Sequence, residues 1–109
     1  FVFVHHPLYP EDKANHHFGS CLDKYPEKRD RLQSLFTKYN VTIVFTGHDH
    51  RFLRKKIDNV TQIITGGGGA PLYGDETNGA FYHFILITVK GDKISGKVID
   101  INGRVRDRF

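Results

Sequence analysis

The stretch Val41–Phe52 reads VTIVFTGHDHRF, and it decides the fold. Its first six residues are strand-forming types in an unbroken run, which is typical of a strand buried on both faces. Gly47 follows and permits a sharp turn without a Cβ penalty. His48 and His50 then come with one residue between them. The pattern predicts a buried strand that ends in a histidine-bearing loop.

A second apolar run, FVFV, opens the chain and is also predicted to be a strand buried on both faces. It ends in HHPLY, where Pro7 holds His6 in extended geometry, so a loop is predicted next. The segment Pro26–Tyr39 predicts the one main helix, because four apolar residues share one stripe at helical spacing: Leu32, Leu35, Phe36 and Tyr39. Strand, helix and strand in this order predict a parallel βαβ unit.

The back half of the chain has the alternation and turn signals of antiparallel β-structure. FLRKKI and VTQIIT flank Asp58 and Asn59, which predicts a hairpin. A glycine-rich loop, GGGGAPLYGDETNGA, separates it from a longer hairpin made by FYHFILITV and ISGKVIDI, and NG begins a final turn. The predicted fold class is therefore mixed α/β and α+β, with a βαβ unit followed by antiparallel hairpins.

The two strands of the βαβ unit each end in histidines. Because the carboxyl ends of parallel strands meet at one edge of a sheet, HHP and GHDH are expected to lie together there, where open α/β sheets place their ligands. Neutral imidazole is a common ligand for Zn, Fe and Mn. A pair of surface histidines is the simpler interpretation of H-x-H alone, but two clusters at one edge favour a metal site.

In order, VFVHHPLY, NHHFGS, a helix and IVFTGHDH resemble the C-terminal half of a calcineurin-like metallophosphoesterase, closest to the purple acid phosphatase branch. The resemblance implies that residues 1–109 are the C-terminal part of a single metallophosphoesterase domain, a β-sandwich with helices outside. The family's Asp-x-His, Gly-Asp and Gly-Asn-His motifs do not occur in the chain. We therefore expect them to lie N-terminal to Phe1.

The resemblance also implies roles for individual residues. His5 and His48 would bind one metal of a binuclear centre and His50 the other, whereas Asp49 occupies a variable position and is not expected to be a ligand. His17, or its neighbour His16, would contact the phosphate or protonate the leaving group. Four further residues are candidates for substrate binding: His6, Gly67, Gly68 and Tyr73. For the glycines, a turn bordering the pocket is the preferred interpretation, because the loop lacks the Lys and Ser/Thr of a P-loop.

The implied function is a metal-dependent phosphoric ester hydrolase, with two divalent or trivalent ions, Fe, Zn or Mn, in the complete enzyme. Two ions about 4 Å apart can clamp a phosphoryl group and lower the pKa of a bound water to near neutrality. This chain alone is expected to hold at most one ion and to be inactive. Its expected partners are a phosphate ester, and either the missing N-terminal half or a second copy joined through exposed strands.

Three alternatives stay open. The net charge of +4 and a pI near 9.3 favour anionic partners. A phosphodiesterase or nuclease could use RFLRKK to grip a nucleic-acid backbone, although nucleic acid is not the favoured partner. The histidines could hold one structural metal, or they could be incidental in an interaction domain. His83 is expected on a strand face rather than as a ligand, and Cys21 is expected to be a loop or packing residue rather than a nucleophile. No apolar run reaches the roughly 20 residues of a membrane span.

Overall fold

The computed structural model describes residues 1–11 and 19–109. It contains one α-helix and seven strands in these residues, together with 3₁₀ turns at Leu22–Lys24 and Glu76–Asn78. No helix of these ranges combines the length and apolarity needed to cross a membrane. The helix and strands are β1 (Val2–Val4), α1 (Pro26–Lys38), β2 (Ile43–Thr46), β3 (Phe52–Ile57), β4 (Val60–Thr65), β5 (His83–Lys90), β6 (Lys93–Asp100) and β7 (Val105–Arg108).

The first sheet has the strand order β1-β2-β4-β3. β1 and β2 are parallel neighbours joined through α1, which confirms the predicted βαβ unit. β3 and β4 form the predicted hairpin, and Asp58 at its turn has the left-handed φ of 52°. The back half is not wholly antiparallel, however, because β4 also pairs with β2 in parallel. The hairpin is thereby built into the same sheet as the βαβ unit.

The second sheet has the order β5-β6-β7 and is antiparallel throughout. The sequence predicted its first two strands and a final turn, but β7 after that turn was not predicted. This sheet packs on one face of the first through an apolar layer, and α1 covers the other face. The layer between the sheets is formed by Ile43, Phe45, Ile63, Ile85, Ile87 and Ile94. The result is the predicted β-sandwich with a helix outside.

The prediction that FVFV is buried on both faces is wrong. Phe3 is 76% exposed and Phe1 is 53% exposed. The reason is that β1 is the outer strand of its sheet. Its phenylalanines contact Phe45, on which Phe3 stacks with ring centroids 5.2 Å apart. A continuous apolar run does not distinguish a central strand from an edge strand.

The buried face of α1 also differs from the predicted stripe. The helix limits agree to within one residue, and Asn40 ends it with a φ of 53°. Leu35 and Tyr39 are nevertheless exposed, and Leu32 and Phe36 pack against the core with a buried Gln33 between them. The Gln33 side-chain amide donates to the Ile57 carbonyl over 3.0 Å and its oxygen accepts from Gln62 over 2.8 Å. A polar bridge therefore fastens the helix to the hairpin.

Replacing Gln33 by alanine is expected to lower the free energy of unfolding by about 1–3 kcal/mol. The change leaves the buried Gln62 amide and the Ile57 carbonyl without this partner, and an unsatisfied buried polar group costs about that much. Urea unfolding followed by circular dichroism measures it. Ser34→Ala, on the exposed face of the same helix, is the control and should change stability far less. Equal losses in both variants would contradict the bridge.

Candidate metal centre

The histidines lie where β1 and β2 end side by side. Val4 is in register with Thr46, and one step further the Gly47 N–H donates to the His5 carbonyl over 3.0 Å. This places His5 against His48, with 3.3 Å between His5 Nε2 and His48 Nδ1. The structure therefore brings together one histidine from each of the two predicted clusters, at the carboxyl edge of the sheet.

His48 occupies an unusual backbone conformation. Its φ is 63°, and the Asp49 N–H donates to the Gly47 carbonyl over 2.7 Å, which closes a three-residue turn around His48. Turns of this kind with a positive φ are rare and strained. Such strain persists where the surrounding structure imposes it, and it is concentrated at functional sites. The turn directs the chain out of β2 within a single residue.

His6 joins the same group. Its ring centroid lies 4.5 Å from that of His48 and 4.9 Å from that of His5. The three residues can each offer one ring nitrogen, and these nitrogens lie within 4.8 Å of one another. Imidazole nitrogens in this arrangement are suitable ligands for a transition-metal ion. The described residues therefore fit a metal through His5, His6 and His48, without a carboxylate in the group.

His50 has a different environment. Its Nδ1 lies 2.7 Å from the Pro71 carbonyl, and because a carbonyl only accepts, Nδ1 carries the proton. The ring stacks on Tyr73, with centroids 5.0 Å apart and an interplanar angle of 16°. The glycine-rich loop therefore contacts the loop of residues 47–51, here called the histidine loop, through Pro71 and Tyr73. A proton fixed on Nδ1 leaves Nε2 as the nitrogen with an acceptor lone pair.

The other candidate residues are distributed differently. His16 and His17 lie outside the described residues. Gly67 is buried, and its carbonyl accepts from the His83 N–H over 3.0 Å. Gly67 and Gly68 line a cavity of about 390 Å³ together with Tyr82, Phe84 and Ile101. Gly67 is thus packed on β5, and Gly68 beside it is exposed.

Asp49, which was not expected to be a metal ligand, is a buried residue. Its side chain is only 2% exposed, although it stands between the two histidines of the loop. Its Oδ1 lies 4.0 Å from the sulfur of Cys21, which is itself buried. Burial, and then the charge of Asp49, raise the pKa of the Cys21 thiol to about 11, so the thiol form persists at neutral pH. Cys21 is a packing residue, as predicted.

Arg51 is a second buried charge that the sequence analysis missed. It is 2% exposed, and its Nη2 donates to Glu11 over 3.1 Å while its Nη1 reaches the Asn78 carbonyl at 3.4 Å. Its backbone carbonyl accepts from the Gly66 N–H over 3.1 Å. Arg51 therefore connects the end of the histidine loop to three other segments. A charged residue directly after GHDH was the only signal for it.

Most charged side chains of RFLRKK are at least partly buried or form ion pairs with other residues of the fold. Arg54 donates to both carboxylate oxygens of Asp107, over 2.6 and 3.0 Å, and Arg51 is buried. Burial lowers the pKa of Lys55, partly offset by the charge of Glu11. Lys56 remains exposed. The segment is strand β3 with internal ion pairs, which does not favour its use as a nucleic-acid grip.

His83 faces the interior near the glycine-rich loop. Its Nδ1 donates to the Phe81 carbonyl over 2.8 Å, and its Nε2 lies 3.0 Å from the Thr65 hydroxyl. Burial lowers its pKa, and the hydrogen bond to Phe81 only partly compensates. Asp100 stands opposite His83 in the β5–β6 register, but its carboxylate accepts from the Asn102 and Arg104 backbones. The neutral ring is therefore the stable form in the fold.

Acidification is expected to destabilise the protein through His83. The unfolded chain takes up a proton near pH 6.5, whereas the folded chain does so only at lower pH, so stability falls as the pH drops below about 6.5 and levels off below the folded pKa. Urea midpoints between pH 8 and 5 would show this slope. His83→Gln should flatten it. The same slope in His83→Gln as in the native protein would contradict the assignment.

Known proteins resemble this chain in sequence and in fold. No family model matches the chain. A phosphoenolpyruvate phosphatase from Allium cepa is 33% identical over 72 residues, which are 65% of this chain and 14% of that protein. GAP50, the anchor in the inner membrane complex of Plasmodium, superposes on the whole chain and 35% of its own, with a TM-score of 0.71 at 18% identity.

Vps29 from Entamoeba histolytica, solved in complex with Zn²⁺, matches 74% of this chain and 46% of its own, with a TM-score of 0.50 at 20% identity. The structural likenesses show the fold, which is of the metallophosphoesterase type seen in Vps29. The chain spans less than half the length of each of these three proteins. The chain thus has a phosphoesterase-type fold. In this fold, three histidines lie together at one edge of the first sheet.

Proposed function

We propose that this chain is the C-terminal part of a single metallophosphoesterase domain that hydrolyses phosphoric esters, in the purple acid phosphatase-like branch. The observation that carries the proposal is the 3.3 Å approach of His5 Nε2 to His48 Nδ1 at the carboxyl edge of β1 and β2. The local identity to a plant phosphatase supports it. Carboxylate ligands for a second ion would come from sequence outside this chain.

Each histidine has a defined task in this proposal. His5 and His48 hold one ion, and His50 presents Nε2 to the other, because its Nδ1 is engaged by the Pro71 carbonyl. When bound, ions such as Fe, Zn or Mn would supply Lewis acidity toward the phosphoryl oxygens. His16 or His17 gives a proton to the leaving alkoxide or contacts the phosphate. Tyr73 fixes the His50 ring by stacking and lies beside the substrate position.

Phosphate release tests the function. The chain joined to its proposed N-terminal part should release phosphate from an aryl phosphate monoester in the presence of Zn²⁺, Fe or Mn²⁺, and the chain alone should not. A diester substrate in the same assay distinguishes a phosphatase from a phosphodiesterase. Absence of hydrolysis of either ester by a folded, metal-loaded protein would contradict the proposal.

The open side of the sandwich supports the proposal that this chain is only part of a larger domain. β1 and β5 are both outer strands of their sheets, and an apolar slot of about 620 Å³ opens between them, lined in part by Phe3, Phe45 and Phe84. An outer strand with unpaired backbone groups and apolar side chains is a template for further β-structure. We infer that this side receives strands from the rest of the domain or, in their absence, from a second copy.

Self-association of the isolated chain follows from this inference. Sedimentation of the 109-residue chain at high concentration should show species larger than a monomer, and Phe3→Lys should shift them toward the monomer because it places a charge on the slot. Phe3 is already exposed, so this variant should fold. A strictly monomeric native chain at high concentration would contradict the inference.

A further inference from the structure

The candidate metal centre contains one imidazole more than the sequence pattern assigned to it. The family resemblance implies that His5 and His48 bind one ion, and it makes His6 only a candidate for substrate binding. In the structure the His6 ring is closer to His48 than His5 is, with centroid separations of 4.5 and 5.2 Å. His6 is therefore positioned like a ligand of the same ion.

The nitrogen spacing agrees with a shared ion. A tetrahedral zinc ion with bonds of about 2.0–2.1 Å to imidazole nitrogen separates neighbouring ligand nitrogens by roughly 3.3 Å. His5 Nε2 and His48 Nδ1 are 3.3 Å apart, and the set of three lies within 4.8 Å. His5 and His6 are exposed side chains, so a small rotation about their side-chain bonds closes the remaining gap.

The local backbone explains how two consecutive histidines reach one point. Successive side chains of a strand point to opposite faces, but β1 ends at Val4, and residues 5 and 6 form a bend. Pro7, which follows directly, is fully buried and anchors that bend to the core. His6 is thus presented toward His48 by a fixed segment of backbone.

His48 supports the same conclusion from the other strand. Its left-handed φ of 63° carries a conformational cost that a plain loop residue has no reason to bear. The turn around it leaves His48 Nδ1 3.3 Å from His5 Nε2. Two backbone features, the bend at residues 5 and 6 and the turn at 48, thereby converge on one small volume.

We propose that His5, His6 and His48 form a three-histidine site that binds one late first-row divalent ion, Zn²⁺ or Co²⁺, within this chain alone. Three neutral nitrogens and no carboxylate favour these ions over Mg²⁺, Ca²⁺ and Mn²⁺, which prefer oxygen ligands. Three protein ligands leave the fourth position of a tetrahedral zinc site open. The proposal rests on the metal-binding role given to His5 and His48 above, and it adds His6 and the class of ion.

The test is metal binding by the 109-residue chain, purified without an affinity tag or chelator. Zn²⁺ is titrated in competition with a chromogenic chelator, and Co²⁺ is followed by the intensity of its visible absorption, which is strong only in a tetrahedral site. We expect one ion per chain, and we expect His6→Gln to weaken Zn²⁺ binding by more than about 100-fold, above the loss typical of an outer-shell partner. His83→Gln replaces a histidine that is hydrogen-bonded to Phe81 and Thr65 instead, so it is the matched control and should leave this affinity within threefold.

Four results would overturn the proposal. They are unchanged Zn²⁺ affinity in His6→Gln, a larger loss in His83→Gln than in His6→Gln, one ion per two chains, and tighter binding of Mg²⁺ than of Zn²⁺. None of these results depends on phosphate release. A chain that binds Zn²⁺ through His6, but gives no hydrolysis when joined to its N-terminal part, would refute the proposed enzyme and leave the three-histidine site intact.

Discussion

Replacing Gly66 by alanine is expected to destabilise the protein by about 3 kcal/mol or more, at the upper end of the usual range for overpacking. Gly66 follows β4, and a Cβ at this position would overlap the backbone carbonyl of Asp49. The atom in the way belongs to the backbone of the histidine loop and has no rotamer into which it can move. Either β4 or the loop must shift as a unit.

The histidine loop has little freedom to make that shift. It is held by the bond from the Gly47 N–H to the His5 carbonyl, by the turn around His48 and by the bond from the Gly66 N–H to the Arg51 carbonyl. A displacement that removes the overlap between the added Cβ and the Asp49 carbonyl breaks at least one of these hydrogen bonds. The expected loss therefore combines steric strain with weakened backbone hydrogen bonds.

Gly68→Ala is the matched control, two residues along the same loop. A Cβ on Gly68 meets nothing within 4 Å, and neither glycine has a left-handed φ, so the two variants differ in close approach alone. Gly68→Ala should change stability by no more than about 0.5 kcal/mol, as exposed substitutions usually do. Urea unfolding of both variants gives the comparison, and similar losses in the two would show that the tight contact at residue 66 is not what holds the loop.

The elements that could be predicted from the sequence are those whose own residues carry a capping, turn or apolar pattern. The limits of α1 follow from Pro26 and Asn40, the first hairpin from Asp58 and Asn59, and the strand β2 from its apolar run. β7 escaped prediction because VRDR carries no apolar pattern. It is a strand because it pairs with β6, with Val105 in register with Ile99. Pairing between strands is a property of the fold that a short window of sequence does not contain.

Burial was predicted less well than secondary structure, for a related reason. Phe3 and Leu35 are apolar and exposed, whereas Gln33, Asp49 and Arg51 are polar and buried. Which side of β1 or α1 is covered depends on where the other layers end. Buried polar side chains need partners from distant segments, such as Gln62 for Gln33 and Glu11 for Arg51. Periodicity alone does not contain those partners.

The candidate site shows the same division between local and distant information. The meeting of HHP and GHDH at one edge followed from the βαβ unit, because parallel strands in register carry their ends to the same place. The position of His6 beside His48 did not follow, because it depends on a bend of two residues and on the left-handed turn. The contacts of His50 with Pro71 and Tyr73 likewise could not be predicted, because they come from a loop that is distant in the sequence. His50 and Pro71 are 21 residues apart.

Replacing His48 by asparagine is expected to reduce phosphate release by the chain joined to its N-terminal part by more than about 100-fold, with little change in stability. The imidazole whose Nδ1 lies 3.3 Å from His5 Nε2 is lost, and removal of even an outer-shell partner typically costs about 10–100-fold in metal affinity or activity. Asparagine is chosen because it tolerates the left-handed φ of 63° at this residue better than most side chains.

His48→Ala separates the chemistry from the backbone. It removes the same imidazole, so activity should fall as far as in His48→Asn, but alanine in the left-handed region costs about 1 kcal/mol or more. The two variants should therefore agree in kcat/KM and differ in urea midpoint, with asparagine the more stable. If His48→Asn retained native activity, His48 would not hold the ion. If the two variants were equally stable, the turn around His48 would relax without cost, and the strain at this position would carry no information about the site.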